Sequence, residues 1–359
     1  MILRLINQLL TARQLEREGW LAIAHPMALG DVVAALPLAG IIKEQLPQLQ
    51  ICFIGSPYVR PLVDCCSQID SFVDFNEVLK RPAILAELGI KIFINPFPHR
   101  ELAAAAHQAG VPVRVGNLRR HKTARYCNRF VSYSRRRSGR HEILLNLENL
   151  AGVGLNPAYP LADIPRYFGL DRLPQLDGAG RQMLQPDRMN VIFHPKSNKN
   201  GREWPAAHYL AVAGMLPPER FNILVTGSRT EGDLLRQEVP DLFALPHVTD
   251  ACGSCSLPQF LALIGNADGM LASGTGPLHI AAAMGKHALG IFPPRADIDP
   301  AHWAPIGVKG EYLCLEHPCR PGGDRCPDEF PGGACACTAA ITPEMVLERM
   351  LGWHNPVVD

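Results

Sequence analysis

The feature that most constrains the fold is an alternation, present twice along the chain, of short apolar segments with helix-like segments. In the first series "WLAIAHP" has the pattern of a buried strand, and "GDVVAALPLAGIIKEQL" that of a helix after a tight turn. Further strands are predicted at "QICFIGS", "SFVDFN", "KIFINPF" and "VPVRVG", the last of which closes this series. Such alternation predicts an α/β fold, a parallel sheet with helices on both faces.

The second series begins at "NVIFHPKS" and continues through "FNILVTGS", "DGMLASG" and "HALGIF", with helical segments between them. Residues 171–188 have scattered prolines and little periodicity, which favours a linker. We therefore expect a domain at 1–170, a second at 189–341, and a C-terminal helix at 342–359 that could pack back on the first domain. Two such domains predict a cleft, with ligands at the carboxyl ends of the strands.

Composition narrows the class of protein. A hydrophobic fraction of 47% with 19% charged residues is typical of a globular enzyme. No apolar run reaches the roughly 18 residues of a membrane-spanning helix, and residues 1–19 lack a signal-peptide cleavage site. We therefore expect a cytoplasmic protein whose eleven cysteines are reduced thiols. Residues 1–19 have helical spacing, either packed on the first domain or lying on a membrane surface.

The stretch "MLASGTGPLHIAAAMGKHALGIF" is rich in small residues where a strand gives way to a helix. Thr275 and Gly276 lie at that junction, and His279 lies in the first turn of the helix. Backbone N–H groups at a helix N-terminus, together with its positive dipole end, suit a phosphate group. The pattern therefore indicates a phosphate site, and the alternative is a tight turn with close helix–sheet packing.

A second candidate for phosphate binding is the loop "FHPKSNKNGREWP", which places Lys196, Ser197, Lys199 and Arg202 between a strand and a helix. Cations and a hydroxyl there suit a diphosphate leaving group. The alternative is a solvated basic loop.

The segment "HPMALGDVVAALP" repeats the strand–turn–helix arrangement, with Gly30 in the turn and Asp31 at the start of the helix. Asp31 is either an N-cap or a general base within reach of an acceptor hydroxyl. The chain has no Walker-type lysine motif and no GxGxxG after its first strand, which argues against a P-loop NTPase and a standard dinucleotide enzyme.

These motifs together resemble the lipopolysaccharide heptosyltransferases, glycosyltransferase family 9, over nearly the whole chain from Trp20. Gly30-Asp31-Val32 and Ala35-Leu36-Pro37 match the N-terminal motif of the family, and His194 through Trp204-Pro205 match its H…K-x-W-P segment. The resemblance implies the GT-B fold, two Rossmann-like doubly wound domains facing a central cleft. It also implies inverting, metal-independent transfer without a cofactor.

The resemblance further implies roles for single residues. Asp31 would be the base. The donor and its phosphates would be bound by Ser197, Arg202, Thr275, Gly276 and His279. Glu231 would hold the ribose, and Cys255, Ser256 and Leu257 would line the nucleotide base. One position departs from the family's D-T-G-x-x-H motif, since Gly274 stands where the family has an aspartate expected to contact the donor sugar; Ser273 offers a hydroxyl nearby.

Charge is segregated along the chain although the net charge is only +1. No Asp or Glu lies between Leu102 and His141, and the segment 114–140 holds a set of cations: Arg114, Arg119, Arg120, Lys122, Arg125, Arg129, Arg135, Arg136, Arg137 and Arg140. Such a segment is typical of a solvated face or of a surface for nucleic acid. Given the other motifs, we favour an acidic lipid A–Kdo acceptor at the inner face of the inner membrane, bound by Arg114, Arg119, Arg120 and Lys122, and expect no nucleic acid.

The C-terminal loop contains a group of potential metal ligands: Cys314, His317, Cys319, Cys326, Cys335 and Cys337. Their spacing lacks paired C-x-x-C knuckles, so structural zinc is the lesser alternative and no metal is expected at the site. The expected donor is a nucleotide sugar, ADP-heptose by the resemblance. Two other functions stay open. One is a non-catalytic GT-B protein that binds nucleotide or glycan, consistent with Gly274, and the other is a GT-B nucleotide-sugar epimerase, which would need no basic acceptor surface.

Overall fold

The computed structural model describes residues 19–135, 138–197, 202–316 and 335–354. The chain divides into two compact units, Met1–Arg172 and Leu173–Asp359. The division falls at the start of the predicted linker. The rest of that linker belongs to the second unit, where the backbone N–H of Asp177 donates to Gln259 Oε1 at 2.9 Å. The helix expected at 1–19 lies outside the described residues, apart from Gly19.

The first unit is built on a six-stranded parallel sheet with the strand order β3-β2-β1-β4-β5-β6. Its strands are β1 (Gly19–Ala24), β2 (Leu49–Gly55), β3 (Ser71–Asp74), β4 (Ile90–Ile94), β5 (Val113–Asn117) and β6 (Arg129–Val131). Its α-helices are α1 (Leu29–Gln45), α2 (Arg60–Asp64), α3 (Phe75–Lys80), α4 (Ile84–Glu87), α5 (Arg100–Gln108), α6 (His121–Ala124) and α7 (Glu142–Leu147). Short 3₁₀ helices span Pro57–Val59, Glu148–Val153 and Leu161–Tyr167.

The second unit repeats this winding, with the strand order β12-β11-β10-β7-β8-β9. Its strands are β7 (Met189–His194), β8 (Phe221–Val225), β9 (Val248–Asp250), β10 (Gly269–Ser273), β11 (His287–Ile291) and β12 (Gly310–Leu313). Its helices are α8 (Gly178–Met183), α9 (Ala206–Met215), α10 (Arg229–Glu238), α11 (Leu257–Asn266), α12 (Gly276–Ala283), α13 (Pro300–Trp303), α14 (Ala336–Ala339) and α15 (Pro343–Leu351), with a 3₁₀ helix at Pro240–Ala244. The two doubly wound α/β sheets predicted from the alternating pattern are thus confirmed.

Three strands go beyond the predicted pattern, namely β6, β9 and β12, and each forms an edge of its sheet. The basic segment therefore contributes a sixth strand, which pairs in parallel with β5, and the first series does not close at "VPVRVG". Edge strands are often short, which limits the unpaired backbone N–H and C=O groups that they expose, and these three have only three or four residues each.

The C-terminal helix α15 packs in the second unit, whereas the sequence allowed it to return to the first domain. Val346 and Met350 of this helix are buried in the core of the second unit together with Trp353. The Trp353 ring stacks on His287 at 5.1 Å between ring centres. It also covers Gly269, where an added Cβ would lie 2.6 Å from Trp353 Cζ3. Trp353 therefore closes the sheet from one side over β10 and β11.

Within the described ranges, none of the helices combines the length and the hydrophobicity that crossing a bilayer requires.

Each sheet reverses its strand order at one point, between β1 and β4 in the first unit and between β7 and β10 in the second. In open parallel sheets, ligands bind outside the carboxyl ends of the strands at this point, because the flanking connections run to opposite faces and leave a crevice. The loops that follow β1, β4, β7 and β10 are therefore the places to look for functional side chains.

Candidate functional site

Asp31 lies in the first turn of α1, directly after the carboxyl end of β1. The helix begins at Leu29 with Ala28 as its N-cap, so Asp31 is not the N-cap. Burial raises the pKa of its carboxyl to about 6, and the Glu142 carboxylate adds to the rise, while the Arg135 guanidinium and the backbone N–H groups of Asp31 and Ala28 lower it. A carboxylate with such a pKa is ionised at neutral pH and is a stronger base than an exposed aspartate.

Arg135 and Glu142 form a buried ion pair close to Asp31. Arg135 Nε lies 2.7 Å from Glu142 Oε1, and both side chains are largely buried. The same region holds His25, which follows β1, is fully buried and packs on Phe97 with 5.9 Å between ring centres. Burial and the neighbouring Arg135 charge lower the pKa of His25 to about 4, which leaves its imidazole neutral at pH 7.

The basic segment separates into buried and exposed cations. Arg114 donates through Nε to Tyr126 O at 2.7 Å and through Nη1 to Val111 O. Its guanidinium thus donates hydrogen bonds to two backbone carbonyl groups of the first unit. This contact supports a structural role for Arg114, and its acceptor role stays a prediction.

Arg119, Arg120 and Lys122 are exposed, in the turn after β5 and in the short helix α6 that follows it. Because all strands of the sheet are parallel, this turn lies at the same edge as the Asp31 turn, two strands along. The structure therefore brings these three cations together on one exposed turn. Arg136 and Arg137 lie outside the described residues.

In the second unit, Thr275 is the N-cap of α12 and lies directly after β10. Its side chain makes no capping bond, only 7% of the residue is exposed, and its Oγ1 has no hydrogen-bond partner within the described part of the chain. A buried hydroxyl without a partner costs about 1–3 kcal/mol. Together with the N–H groups of the first turn, which have no intrahelical acceptor, this hydroxyl is suited to bind a phosphate oxygen.

Trp204, two residues after Arg202, joins this part of the loop to the end of β10 and to Ile341. The backbone N–H of Trp204 donates to Ser273 Oγ at 3.0 Å, and its indole Nε1 donates to Ile341 O at 2.8 Å. Arg202 and Thr275 each lie two residues along the chain from the Trp204–Ser273 hydrogen bond, and the phosphate role of Arg202 stays a prediction. Ser273 is fully buried, so its hydroxyl has a structural role rather than facing a sugar.

The other cation and hydroxyl of this loop are held by carboxylates. Lys196 Nζ lies 2.7 Å from Glu238 Oε2 and 3.5 Å from Glu203 Oε2. Glu203 Oε1 accepts from the backbone N–H of Ser197 at 2.8 Å and from its hydroxyl at 3.2 Å. These contacts shape the start of the loop, and the phosphate role of Ser197 stays a prediction. Lys199 lies outside the described residues.

Glu231 is fixed by a capping box at the start of α10, after the carboxyl end of β8. Ser228 N donates to Glu231 Oε2 at 2.7 Å, and Glu231 N donates to Ser228 Oγ at 3.2 Å. These two bonds give Glu231 a structural role at the helix start, and its role at the ribose stays a prediction.

Beside it, His194 at the end of β7 contacts Thr226 Oγ1 through Nδ1 at 2.9 Å and stacks on Phe260, with 5.8 Å between ring centres. Burial lowers the pKa of His194 to about 4, so the ring is neutral. Phe260 lies one helical turn after Leu257, on the same face of α11. Leu257, Phe260 and the preceding Cys255 are only partly buried, which leaves an apolar face for a nucleotide base.

His279 lies at the end of the first turn of α12 and packs on Trp303 of α13, with 5.8 Å between ring centres. The described contacts therefore place an aromatic neighbour beside it, and its role at the phosphate stays a prediction.

Gly274 is a glycine because the Phe292 ring occupies the space of a side chain. A Cβ on Gly274 would lie 2.7 Å from Phe292 Cε1, and a Cβ on Gly290 would lie 2.4 Å from Phe292 Cε2. Phe292 is only 1% exposed. The ring is thus bracketed by two glycines, and the position of the family's aspartate is filled by an apolar group.

We expect Gly274→Asp to lower the free energy of unfolding by about 1–3 kcal/mol, because the new side chain overlaps a buried ring. Adding Phe292→Leu should recover part of this loss. The matched control is Gly214→Asp, at an exposed helical glycine where an added Cβ meets nothing within 4 Å. Urea unfolding of the three variants checks the prediction, and equal stability of Gly274→Asp and Gly214→Asp would contradict it.

Among the described residues, no three His, Cys, Asp or Glu side chains come together in a way that could hold a metal ion. His317, Cys319 and Cys326 of the cysteine-rich loop lie outside those residues, so the zinc alternative there stays untested.

The carboxylate partners Glu142 and Glu203 and the ring of Phe292 were not predicted from the sequence. A signal for one of them exists, since Glu142 is the first acidic residue after the long stretch that begins at Leu102. An acidic residue that ends such a stretch is a natural partner for one of its arginines.

The family described as "Glycosyltransferase family 9 (heptosyltransferase)" matches residues 102–327. Among solved structures, E. coli ADP-heptose LPS heptosyltransferase II superposes with a TM-score of 0.71 at 18% identity, over 93% of this chain and 98% of that chain. E. coli heptosyltransferase WaaC with ADP gives 0.67 at 14% identity, over 93% and 100%. These two similarities show the GT-B fold.

The lipopolysaccharide core heptosyltransferase OpsX of Haemophilus influenzae is 29% identical over 113 residues, which is 31% of this chain and 32% of that protein. This chain thus spans about a third of the length of that relative. The family match covers more than half of the chain, including the basic segment and all six strands of the second unit. The chain belongs to glycosyltransferase family 9, the heptosyltransferase family.

Proposed function

We propose that this protein is an inverting, metal-independent glycosyltransferase that moves heptose from ADP-heptose to an inner-core lipopolysaccharide acceptor. The observation that carries the proposal is Asp31, a carboxylate held after the first strand at a strand-order reversal, with its pKa raised to about 6. The first unit would supply this base, and the second would hold the donor.

In the proposed reaction, the acceptor hydroxyl oxygen attacks the anomeric carbon of the donor sugar and its proton passes to the Asp31 carboxylate. The bond from the anomeric carbon to the phosphate oxygen breaks, and ADP leaves with that electron pair. Attack opposite the leaving group inverts the configuration. A positioned carboxylate base typically contributes about 10²–10⁴-fold to such a step.

The departing diphosphate gains negative charge, which Thr275 and the first-turn N–H groups of α12 would stabilise together with Arg202. Preorganised donors of this kind act where charge develops and need no reorganisation during the reaction. This arrangement supports metal-independent transfer. His279 and Ser197 would complete the phosphate site.

The adenine nucleotide of the donor would lie beside the starts of α10 and α11. Glu231 would accept the ribose hydroxyls, and Cys255, Leu257 and Phe260 would contact the base. The ADP held by the solved WaaC structure supports this choice.

The exposed turn with Arg119, Arg120 and Lys122 would bind the anionic acceptor and hold the protein at the inner face of the inner membrane. Each cation near an anionic lipid surface contributes about 1 kcal/mol. We therefore expect the combined change Arg119→Gln, Arg120→Gln and Lys122→Gln to raise the acceptor KM about 10- to 100-fold with kcat little changed.

The control for this variant removes the same charge elsewhere in the first unit, with Arg60→Gln, Lys80→Gln and Lys91→Gln, all at exposed cations. Steady-state kinetics at low and high salt checks the prediction, since screening should abolish the difference between the two variants. Equal loss in both variants would mean that net charge, not this turn, binds the acceptor.

The test of the proposed function is transfer from ADP-heptose to a Kdo–lipid A acceptor by the wild-type protein. Product formed only with acceptor present establishes the transferase. ADP binding by calorimetry without any turnover would favour the non-catalytic alternative. Conversion of the donor without acceptor would favour the epimerase.

A further inference from the structure

We infer that Arg135 and Glu142 act as a buried positioning pair for Asp31, fixing the helix that carries it and tuning its carboxylate as a base. The inference rests on the proposed role of Asp31 in transfer. One arginine of the basic segment, Arg135, is largely buried, and its guanidinium donates hydrogen bonds to several protein groups.

The Arg135 guanidinium joins the loop after β4 to helix α7. Besides the 2.7 Å bond to Glu142, its Nη2 donates to Asn146 Oδ1 at 2.9 Å and to Pro96 O at 3.0 Å. Glu142 and Asn146 both belong to α7, one turn apart. Arg135 therefore holds α7 against the carboxyl end of the fourth strand, next to the strand that leads to Asp31.

From α7 the contact continues to the helix of Asp31. Asn146 is fully buried, and its Nδ2 donates to Ala34 O at 3.0 Å. Ala34 lies in α1, three residues after Asp31. A chain of hydrogen bonds thus runs from the ion pair through one amide side chain to the backbone of the helix turn that carries the base.

The pair is fixed in place by aromatic rings. The Arg135 guanidinium carbon lies 5.5 Å from the ring centre of Phe97 and 5.4 Å from that of Tyr133. Tyr133 in turn donates to Pro96 O at 2.9 Å and accepts from Asn149 Nδ2 at 3.1 Å. Replacing a buried ion pair by apolar residues is often neutral or stabilising, so stability alone does not account for a pair with so many supporting contacts.

The charges of the pair act on Asp31 in opposite directions. The Glu142 carboxylate raises the pKa of Asp31 and the Arg135 guanidinium lowers it. Among the described residues, the other titratable groups that face this cluster are His25, which is neutral because burial lowers its pKa to about 4, and Tyr133, whose pKa is raised by burial. Both are uncharged at pH 7, which leaves the ion pair as the tuning element.

The test compares Glu142→Gln with Arg135→Met. Loss of the carboxylate removes repulsion of the Asp31 charge, so the acidic limb of kcat/KM should move to lower pH by about half a unit to one unit. Loss of the guanidinium removes an attraction that favours the Asp31 charge, so the limb should move to higher pH by a similar amount. A purely structural role would not produce shifts of opposite sign.

The matched control is the neighbouring ion pair Arg140–Glu148, at 2.5 Å and more exposed, changed by Arg140→Met and Glu148→Gln. These variants should leave the acidic limb in place. Shifts of the same direction in Glu142→Gln and Arg135→Met, or shifts as large in the control pair, would overturn the inference.

A readout that does not depend on turnover separates this inference from the proposed function. The ¹³C carboxyl signal of Asp31, assigned by its absence from Asp31→Asn, should titrate with the same opposite shifts in the two variants. If transfer is not found but these shifts are, the pair still tunes Asp31 and only the proposed reaction fails.

Removal of one partner could unfold the protein, so the double variant Arg135→Met/Glu142→Met completes the design. It leaves no unpaired buried charge and should fold. Its Asp31 titration should return close to that of the wild type, while kcat falls because Asn146 has lost its donor. An unchanged kcat in this folded double variant would overturn the positioning role.

Discussion

Asp31→Asn should lower kcat/KM for sugar transfer by about 10³-fold while ADP binding stays intact, because the amide cannot accept the acceptor proton. In the wild type, the same proton acceptance predicts a rate that falls below about pH 6, where Asp31 becomes protonated, and that is flat above it. Transfer kinetics between about pH 5 and pH 8.5, with calorimetry of ADP binding, check both statements. Transfer by Asp31→Asn at more than a tenth of the wild-type rate would exclude Asp31 as the base.

The same substitution should stabilise the folded protein. Asp31 binds its proton more tightly in the folded state than in the unfolded chain, so the free energy of unfolding of the wild type falls as the pH rises from about 4 to about 6. The asparagine side chain carries no charge, and removal of this unfavourable contribution is worth about 2–3 kcal/mol near pH 7.5. Urea unfolding at about pH 4 and pH 7.5 measures it.

The control for this stability gain is Asp163→Asn, at an exposed carboxylate, which should leave the pH dependence of the wild type unchanged. If Asp31→Asn shows no gain at neutral pH over its value in acid, the pKa of Asp31 is not raised as described above.

Thr275→Val should weaken ADP binding about 10- to 100-fold, because a hydrogen bond to a charged phosphate contributes about 1.5–3 kcal/mol. In the free protein the same change removes a buried hydroxyl that has no partner among the described residues. The free energy of unfolding without ligand should therefore stay equal or rise. Calorimetry of ADP binding and urea unfolding without ADP measure the two effects.

Thr338→Val is the matched control, since the fully buried Thr338 hydroxyl donates to Glu203 O at 2.9 Å. Loss of that bond should lower the free energy of unfolding by about 1–3 kcal/mol. Undiminished ADP affinity in Thr275→Val would remove Thr275 from the phosphate site.

The central strands were predictable from sequence because they are buried on both faces and form continuous apolar runs. The edge strands β6, β9 and β12 were not, since three or four residues with one neighbouring strand carry too little pattern. Arg129 at the start of β6 shows the difficulty, because the basic residues around it favour a solvated segment over a strand.

The positions of candidate groups were also predictable, but their partners were not. A residue at the junction between a strand and the following helix can be recognised locally, as for Asp31 and Thr275. The hydrogen bond from Trp204 to Ser273 joins residues 69 positions apart, and no local pattern encodes it. In the same way the sequence shows that Gly274 departs from the family motif, whereas only the structure shows Phe292 in that space.

Trp353 closes the second core late in synthesis. The first unit is complete at Arg172, and Trp353 follows roughly 180 residues later, which at about 5–20 residues per second takes about 10–40 s. The first unit can fold throughout this interval. Gly269 and His287 follow Arg172 by 97 and 115 residues, so in the last part of the interval they are already synthesised but still lack the ring that covers them. The proposed acceptor half can therefore be folded on the ribosome well before the donor half, and the uncovered second sheet is the surface that a chaperone would protect.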